Sequence, residues 1–414
     1  MPPKVFAWFA ETPMIALSDF VALTSSRDSE ERARAAHLAA LCYLDHTGPA
    51  DEHAALYAVL IGFLDDPSVK VRAALAYGLL HSAHAPRAVV LALLRDSAVI
   101  ARAIAQYSPA LLDADLLPLV PGAPLPMVLA LCQRSQISGR LAAALIGSGM
   151  REAQLLLLRR TDVPVPAEVL LRLADSEGRD CELRGALLAR RDLPPDARLL
   201  LVRYAASDLR QARIVRGALH APRLDRLFRA SEDEAIAAIG EKAAAQENAH
   251  YASALAAAEQ LNTRLLLHAL VSGQVLFLAE CLAQLAQTPR RKVLNLLETG
   301  SRAALQALLA ACSVSDPVRG VLVQLIRHAR TVDLASDVAG RHYVITVVLE
   351  ELIAEYDDGI PADLEEAFSY LSEQNVRLAR EAARQVMSAF TGPEGQGTAV
   401  ALPVTDERRL LPAA

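Results

Sequence analysis

Val59–Tyr77 (VLIGFLDDPSVKVRAALAY) returns thirty residues later as Val89–Tyr107 (VVLALLRDSAVIARAIAQY). Val59/Val89, Leu64/Leu94, Asp66/Asp96, Val69/Val99, Arg72/Arg102 and Tyr77/Tyr107 fall in register. Each copy reads as a helix, a tight turn opened by an aspartate, and a second helix. One such hairpin cannot bury its own apolar face, so the pattern demands stacking on neighbours, the logic of an α-solenoid. Asp28 and Arg34 repeat the six-residue offset of Asp66–Arg72 and Asp96–Arg102. Arg140 extends the arginine series, but Arg134 stands where its turn aspartate is expected.

The turn chemistry has a physical reading. Asp66 is placed to cap the second helix, with Pro67 at its first position, where a missing N–H costs nothing. Val71, Ala74, Leu75, Gly78 and Leu79 then form one apolar stripe at i, i+3, i+4, i+7 and i+8. Ala74 and Gly78 leave room for a close helix neighbour. Asp66, Arg72, Asp96 and Arg102 are the expected rungs of a ladder between repeats.

Composition agrees with an all-α chain. Hydrophobic residues make up 53% of the 414 positions but aromatics only 4%, so Ala, Leu and Val dominate. No segment alternates at period two for more than a few residues. The expected organisation is a lead-in or cap at 1–26, helical repeats at 27–230, a C-terminal helical region at 231–390, and a disordered tail at 391–414. Within it, Pro86, the PGAPLP and TDVPVP stretches, and Leu193–Pro195 punctuate the helices, with Asp192 a candidate cap. Ser231 and Glu234 suggest a capping box opening an Ala- and Glu-rich helix. Helices at Val344–Tyr356 and Asp363–Phe390 close the chain, and Asp357–Asp358 with Gly359 reads as a turn.

At the Asp66–Arg72 unit the chain resembles HEAT-type repeats, in which a turn aspartate and a helix arginine form such a ladder. It is similar to an uncharacterised family of alphaproteobacterial HEAT-like proteins known only as a domain of unknown function. The resemblance is carried by APRAVVLALLRDSAVIARAIAQYSPALLDADLL (Ala85–Leu117), RRDLPPDARLLLV (Arg190–Val202) and Leu270–Ser313, and covers most of residues 28–330. It implies a bacterial helical solenoid and no defined activity.

No enzyme motif is present: no H-E-x-x-H, P-loop, G-x-G-x-x-G or G-x-S-x-G occurs. His81 and His84 lack a carboxylate or thiol nearby to complete a metal site and read as solvated helix-end histidines. Neither a cofactor nor a metal is expected. The five cysteines (Cys42, Cys132, Cys181, Cys281, Cys312) lie scattered in apolar helical runs, so buried free thiols in a reducing cytoplasm are expected. The first twenty residues lack the pattern of a signal peptide, and Leu265–Ala279 is too short to span a bilayer. The expectation is a soluble, cytoplasmic chain without membrane insertion.

Charge marks one segment. Between Arg184 and Arg229 stand eleven arginines against four aspartates, a local +7 in a chain of net charge -6. The rest therefore carries -13. Arg203, Arg210, Arg213 and Arg216 recur near helical spacing and are candidates to line one groove. They point to a protein partner with an acidic surface, and so to a non-enzymatic scaffold or adaptor. The alternative is a HEAT-like nucleic-acid-binding protein using the same 184–229 segment. Only Tyr204 and Phe228 are there for base stacking. A solvated face paired with glutamates elsewhere, for instance after Glu350, is the plain reading of the same charges.

Overall fold

A computed structural model describes residues 22–334, 336–356 and 359–391. The expected lead-in and tail, and the turn at Asp357–Asp358, lie largely or wholly outside these residues. Among the described residues the regular structure is entirely helical. The chain divides into two compact units, residues 1–205 and 206–414.

The first unit contains α1 (Ser29–Asp45), α2 (Ala50–Leu64), α3 (Val69–Leu79), α4 (Arg87–Leu93), α5 (Ala98–Tyr107), α6 (Asp113–Leu116) and α7 (Leu125–Cys132). It continues through α8 (Gly139–Gly147), α9 (Arg151–Arg159), α10 (Ala167–Glu177) and α11 (Cys181–Ala189), and α12 (Pro195–Gln211) runs across the division. The odd-numbered helices α1, α3, α5, α7, α9 and α11 form a row in which each packs on the next. In addition, α2 packs on α4 and α6 on α8.

The stripe read from the sequence builds this row. Val71, Leu75 and Leu79 are completely buried on α3. Gly78 allows the contact with α1, since a Cβ there would lie 2.6 Å from that of Ala40 and 3.2 Å from the His37 carbonyl oxygen. Capping differs from expectation. Ser68 precedes α3, and Asp66 sits two residues further back, its carboxylate accepting from the Ser68 N–H at 2.8 Å. True side-chain caps in this unit include Asp28 on α1, Ser138 on α8 and Asp180 on α11.

The second unit holds α13 (Arg213–Ala218), α14 (Ala221–Ala245), α15 (His250–Ala257), α16 (Thr263–Val271), α17 (Val275–Leu285) and α18 (Arg290–Thr299). It ends with α19 (Arg302–Ala311), α20 (Asp316–Ala329), α21 (Val338–Glu355) and α22 (Ala362–Thr391). The compositional boundary at 230/231 falls inside α14. That helix starts at Ala221 with Pro222 in its first turn, so Ser231 is an interior residue and opens nothing. Only the composition of the exposed face changes there, while the helical period continues.

α17 is the centre of this unit, touching α14, α15, α16, α18 and α19. Phe277 packs on Gly240 of α14 so closely that any Cβ at 240 would overlap its ring. Glu241, also on α14, accepts from the Phe277 N–H at 2.8 Å and so caps α17 from another helix. The last helix returns across the unit: α22 packs on α16, α20 and α21. Its buried residues Leu364, Ala367, Leu371, Gln374 and Leu378 follow helical spacing.

Two of the five thiols are exposed, Cys42 and Cys181, contrary to the expectation of burial for all. Cys181 opens α11, where the helix end faces solvent. Burial pushes the thiols of Cys132 and Cys312 up to about 12 and about 11, which leaves them inert.

Candidate partner-binding surface

Several arginines of the first unit are spent inside it. Arg32 of α1 makes a two-pronged pair with Asp66, Nε at 2.7 Å and Nη2 at 3.2 Å. Arg72 does the same with Asp96, at 2.6 and 2.9 Å, and donates to the Asp66 carbonyl at 2.7 Å. Hydrogen bonding from these guanidiniums holds both carboxyls below the ordinary aspartate range. Two expectations are corrected here. Arg32, two residues from the exposed Arg34 and so on nearly the opposite face of α1, is the residue that reaches Asp66. Arg102 is exposed and has no ion pair among the described residues, because the turn after α7 offers Arg134 and no aspartate.

The ladder then changes its chemistry. Arg134, 7% exposed, donates to the carbonyls of Ala105 and Ser108 at the end of α5. Arg160 donates to Cys132 and Arg134 carbonyls at 2.9 and 2.6 Å. Arg190 reaches the carbonyls of Arg160 and Val163 at 2.9 and 3.0 Å. Arg198 ends the series on Leu188 and Arg190, at 3.1 and 2.8 Å. Each guanidinium thus satisfies carbonyls that the preceding helix end leaves open. Two of them also grip an aspartate two residues on: Arg160–Asp162 and Arg190–Asp192. Asp192 is therefore a ladder partner and caps no helix. Gln136 takes that place after Arg134, whose Nε is buried without a partner.

The four candidate arginines do not share one environment. Arg203 belongs to the first unit and is half-buried with an interaction of its own, whereas Arg210, Arg213 and Arg216 are exposed and belong to the second. Arg210 pairs with Asp225 and lies over the Phe228 ring, 5.9 Å from its centroid. Arg213, Arg216, Arg223 and Arg229 are exposed with no ion pair among the described residues. Apolar side chains stand among them: Leu209 is 55%, Leu227 48% and Ile214 81% exposed. α13 buries none of its six residues. Helix stability does not explain the arginines either. Arg223 sits in the first turn of α14, which holds no acidic residue, so its charge opposes the helix dipole.

A buried polar centre in the second unit escaped sequence reasoning. His268 on α16 is 1% exposed. Its Nδ1 lies 2.8 Å from the Tyr370 hydroxyl of α22, and its Nε2 3.2 Å from the Glu234 carboxylate of α14. Both ring nitrogens of His268 thus have a hydrogen-bonding partner. Hydrogen bonding to His268 lowers Glu234, and burial raises Tyr370. Arg264 lies over the Tyr370 ring at 4.9 Å and pairs with Asp233 at 2.7 Å. Residues 234, 268 and 370 share no local motif. The only hint in sequence is a histidine inside the apolar run after Arg264.

His81 is exposed beyond the end of α3, edge-on to Tyr107 at 5.5 Å, and His84 is exposed as well. Among the described residues no three His, Cys, Asp or Glu side chains are grouped to hold a metal ion. No described helix is long and apolar enough to cross a membrane.

No curated protein and no solved structure matches the chain. A family model described as uncharacterised protein conserved in bacteria (DUF2336) matches residues 100–358, beginning inside the first resemblance block and ending beyond the last. It covers more than half of the chain, from α5 to the end of α21, and so takes in the arginine-to-carbonyl ladder, the exposed arginines, and Glu234 and His268 of the buried centre but not Tyr370. The chain belongs to that family.

Proposed function

We propose that this protein is a non-enzymatic scaffold or adaptor, with HEAT-like hairpins of the first unit stacked as a solenoid and a protein partner held on the exposed arginine segment. The row of odd-numbered helices with its repeating arginine rungs supports the solenoid reading. The observation that carries the binding role is Ile214, 81% exposed between Arg213 and Arg216 on a helix with no buried residue. Arginine beside exposed aliphatic side chains suits an acidic protein surface, since its planar fork pairs with carboxylates and its neighbours supply apolar area. Stacking of nucleic-acid bases is less well served. Tyr204 and Phe228 already carry Arg179 and Arg210 over their rings, at 5.0 and 5.9 Å. Three buried free thiols suit a cytoplasmic setting.

The test is Arg213→Glu with Arg216→Glu in the full chain. Both residues are exposed, so the thermal melt should move by no more than about 0.5 kcal/mol equivalent. Capture of the partner should fall, and capture by the unchanged chain should fall in parallel as salt rises. Equal capture at every salt concentration would remove the arginine segment from the binding surface. Loss of capture on nuclease treatment would favour nucleic acid instead.

A further inference from the structure

The second unit carries an acidic counterpart to its own arginine segment. From Glu350 to Glu366 the sequence contains no lysine or arginine. Glu350, Glu351 and Glu355 close α21, and Asp363, Glu365 and Glu366 open α22; all six are exposed. Ile353 stands among them, 55% exposed. The basic segment from Leu209 to Arg229 has six arginines against one aspartate. Each segment therefore pairs one sign of charge with bare aliphatic surface.

Local stability accounts for only part of this. Asp363 and Glu365 favour the N-terminus of α22. Glu350, Glu351 and Glu355 crowd the last turns of α21, which hold no basic residue and where the helix dipole disfavours negative charge. Arg223 has the mirror fault at the start of α14. Within the chain the faults are not offset by each other: among the described residues no ion pair joins the two segments. Glu351 meets His328 at 3.8 Å, and Arg226 meets Glu373 at 3.9 Å.

We infer that the occupant of the arginine segment is a second copy of this chain, presenting the exposed carboxylates of Glu350, Glu351 and Glu355 on α21 and of Asp363, Glu365 and Glu366 on α22. The inference rests on the reading of Arg210–Arg229 as a binding surface and names its partner. Ile214 and Ile353 supply apolar contact, and the unpaired arginines meet carboxylates that, Glu351 apart, make no ion pair among the described residues. Such a contact joins unlike surfaces, so it either grows head to tail or closes as a two-fold pair, and both begin from the same interface. Complementary fields of this kind set partner choice and association rate, and salt screens them.

Sedimentation of the full chain at low and high salt tests this, with two variants chosen to improve local helix electrostatics. Arg213→Glu with Arg223→Glu places acids at helix N-termini, and Glu350→Lys with Glu355→Lys places bases at a helix C-terminus. Unchanged circular dichroism melts confirm their folding. The wild type is expected to sediment at twice the monomer mass or more at low salt and as a monomer at high salt. Each variant alone is expected to lose association. An equimolar mixture of the two is expected to regain a one-to-one pair, because each retains the face the other has lost. A wild type that stays monomeric at low salt overturns the inference, as does association that survives in both variants or a mixture that stays monomeric. A monomeric wild type whose capture of another protein is still abolished by Arg213→Glu with Arg216→Glu overturns only the second-copy assignment. Unchanged capture as well would overturn the binding surface itself.

Discussion

In the first unit Arg160 donates to the carbonyl of Arg134, and Arg190 to that of Arg160, each reaching back one hairpin. In the second, His268 meets Tyr370 across 102 residues of sequence. The first unit is thus assembled from contacts between successive hairpins. The second is closed by a helix that returns over α16, α20 and α21. Local stacking makes stability a sum of neighbour terms, so damage should stay near its origin. A closing helix couples elements distant in sequence and makes the unit more nearly all-or-none. Arginines serve main-chain carbonyls near helix ends in both units, in the second through Arg290 to Ala244 and Arg330 to Leu296 and Leu297, whereas the second adds the side-chain centre at His268.

The largest effect should come from Tyr370→Ala. It removes a fully buried ring and leaves His268 and Arg264 without their partner. Large aromatic truncations cost about 3–5 kcal/mol, and an orphaned buried imidazole nitrogen adds to that. The calorimetric transition of the second unit should broaden or disappear. A melt like that of the wild type would show that α22 does not close the unit.

Leu75→Ala should cost about 2–5 kcal/mol, since Leu75 is completely buried between successive helices. The loss should be read in α1 to α5 and fade further along the row. Uniform loosening from α1 to α11 would show that the first unit is a single cooperative core.

Asp96→Asn should cost about 1–3 kcal/mol near neutral pH, by breaking the charged half of the Arg72 rung. The pH dependence has a definite sign. The folded carboxyls of Asp66 and Asp96 are lowered, so their contribution is complete above the unfolded aspartate value, near about pH 3.9. It is lost as pH falls through the lower folded value. Acid titration of the wild type should therefore weaken the first unit below about pH 4, and the Asp96→Asn variant should weaken less over that window. Parallel titrations would remove the Arg72–Asp96 pair as a source of stability.

The smallest effect is a gain. Gln136→Asp restores the aspartate that follows Arg160 and Arg190 by two residues and gives the buried Arg134 Nε an acceptor. The equivalent carboxylates are about half exposed, so a gain of about 1 kcal/mol is expected, or about 2–4 °C in melting temperature. No gain would mean that the Arg134 side chain is satisfied in another way.

Local structure was legible in the sequence, but the expected boundary at 230/231 falls inside α14 and away from the division at 205/206. The aligned copies at Val59 and Val89 predict the hairpins, and the stripe from Val71 to Leu79 predicts the buried face, because helical period and burial are local properties. The prolines at 86, 121 and 166 mark helix boundaries for the same reason. The rungs were harder. A six-residue offset singles out Arg34 and Arg102, whereas burial and reach select Arg32 and Arg134. Arg134, Arg160 and Arg190 each follow a helix end, but carbonyl acceptors leave no trace in sequence. Exposure of Arg213 and Arg216 agrees with their reading as surface residues. Arg198 and Arg203, from the same charged run, are half-buried, since helical spacing does not tell which turn faces inward. The His268 centre was invisible, because nothing in sequence brings residue 234 to residue 268 and both to residue 370.

Hydrogen exchange, measured peptide by peptide on Leu75→Ala and Tyr370→Ala, tests the contrast most directly. The expected result is faster exchange in α1 to α5 for the first variant, with α9 to α11 protected as in the wild type. For the second it is faster exchange in α16, α20, α21 and α22 together. Exchange that rises throughout α1 to α11 in Leu75→Ala, or only within α22 in Tyr370→Ala, would contradict the account.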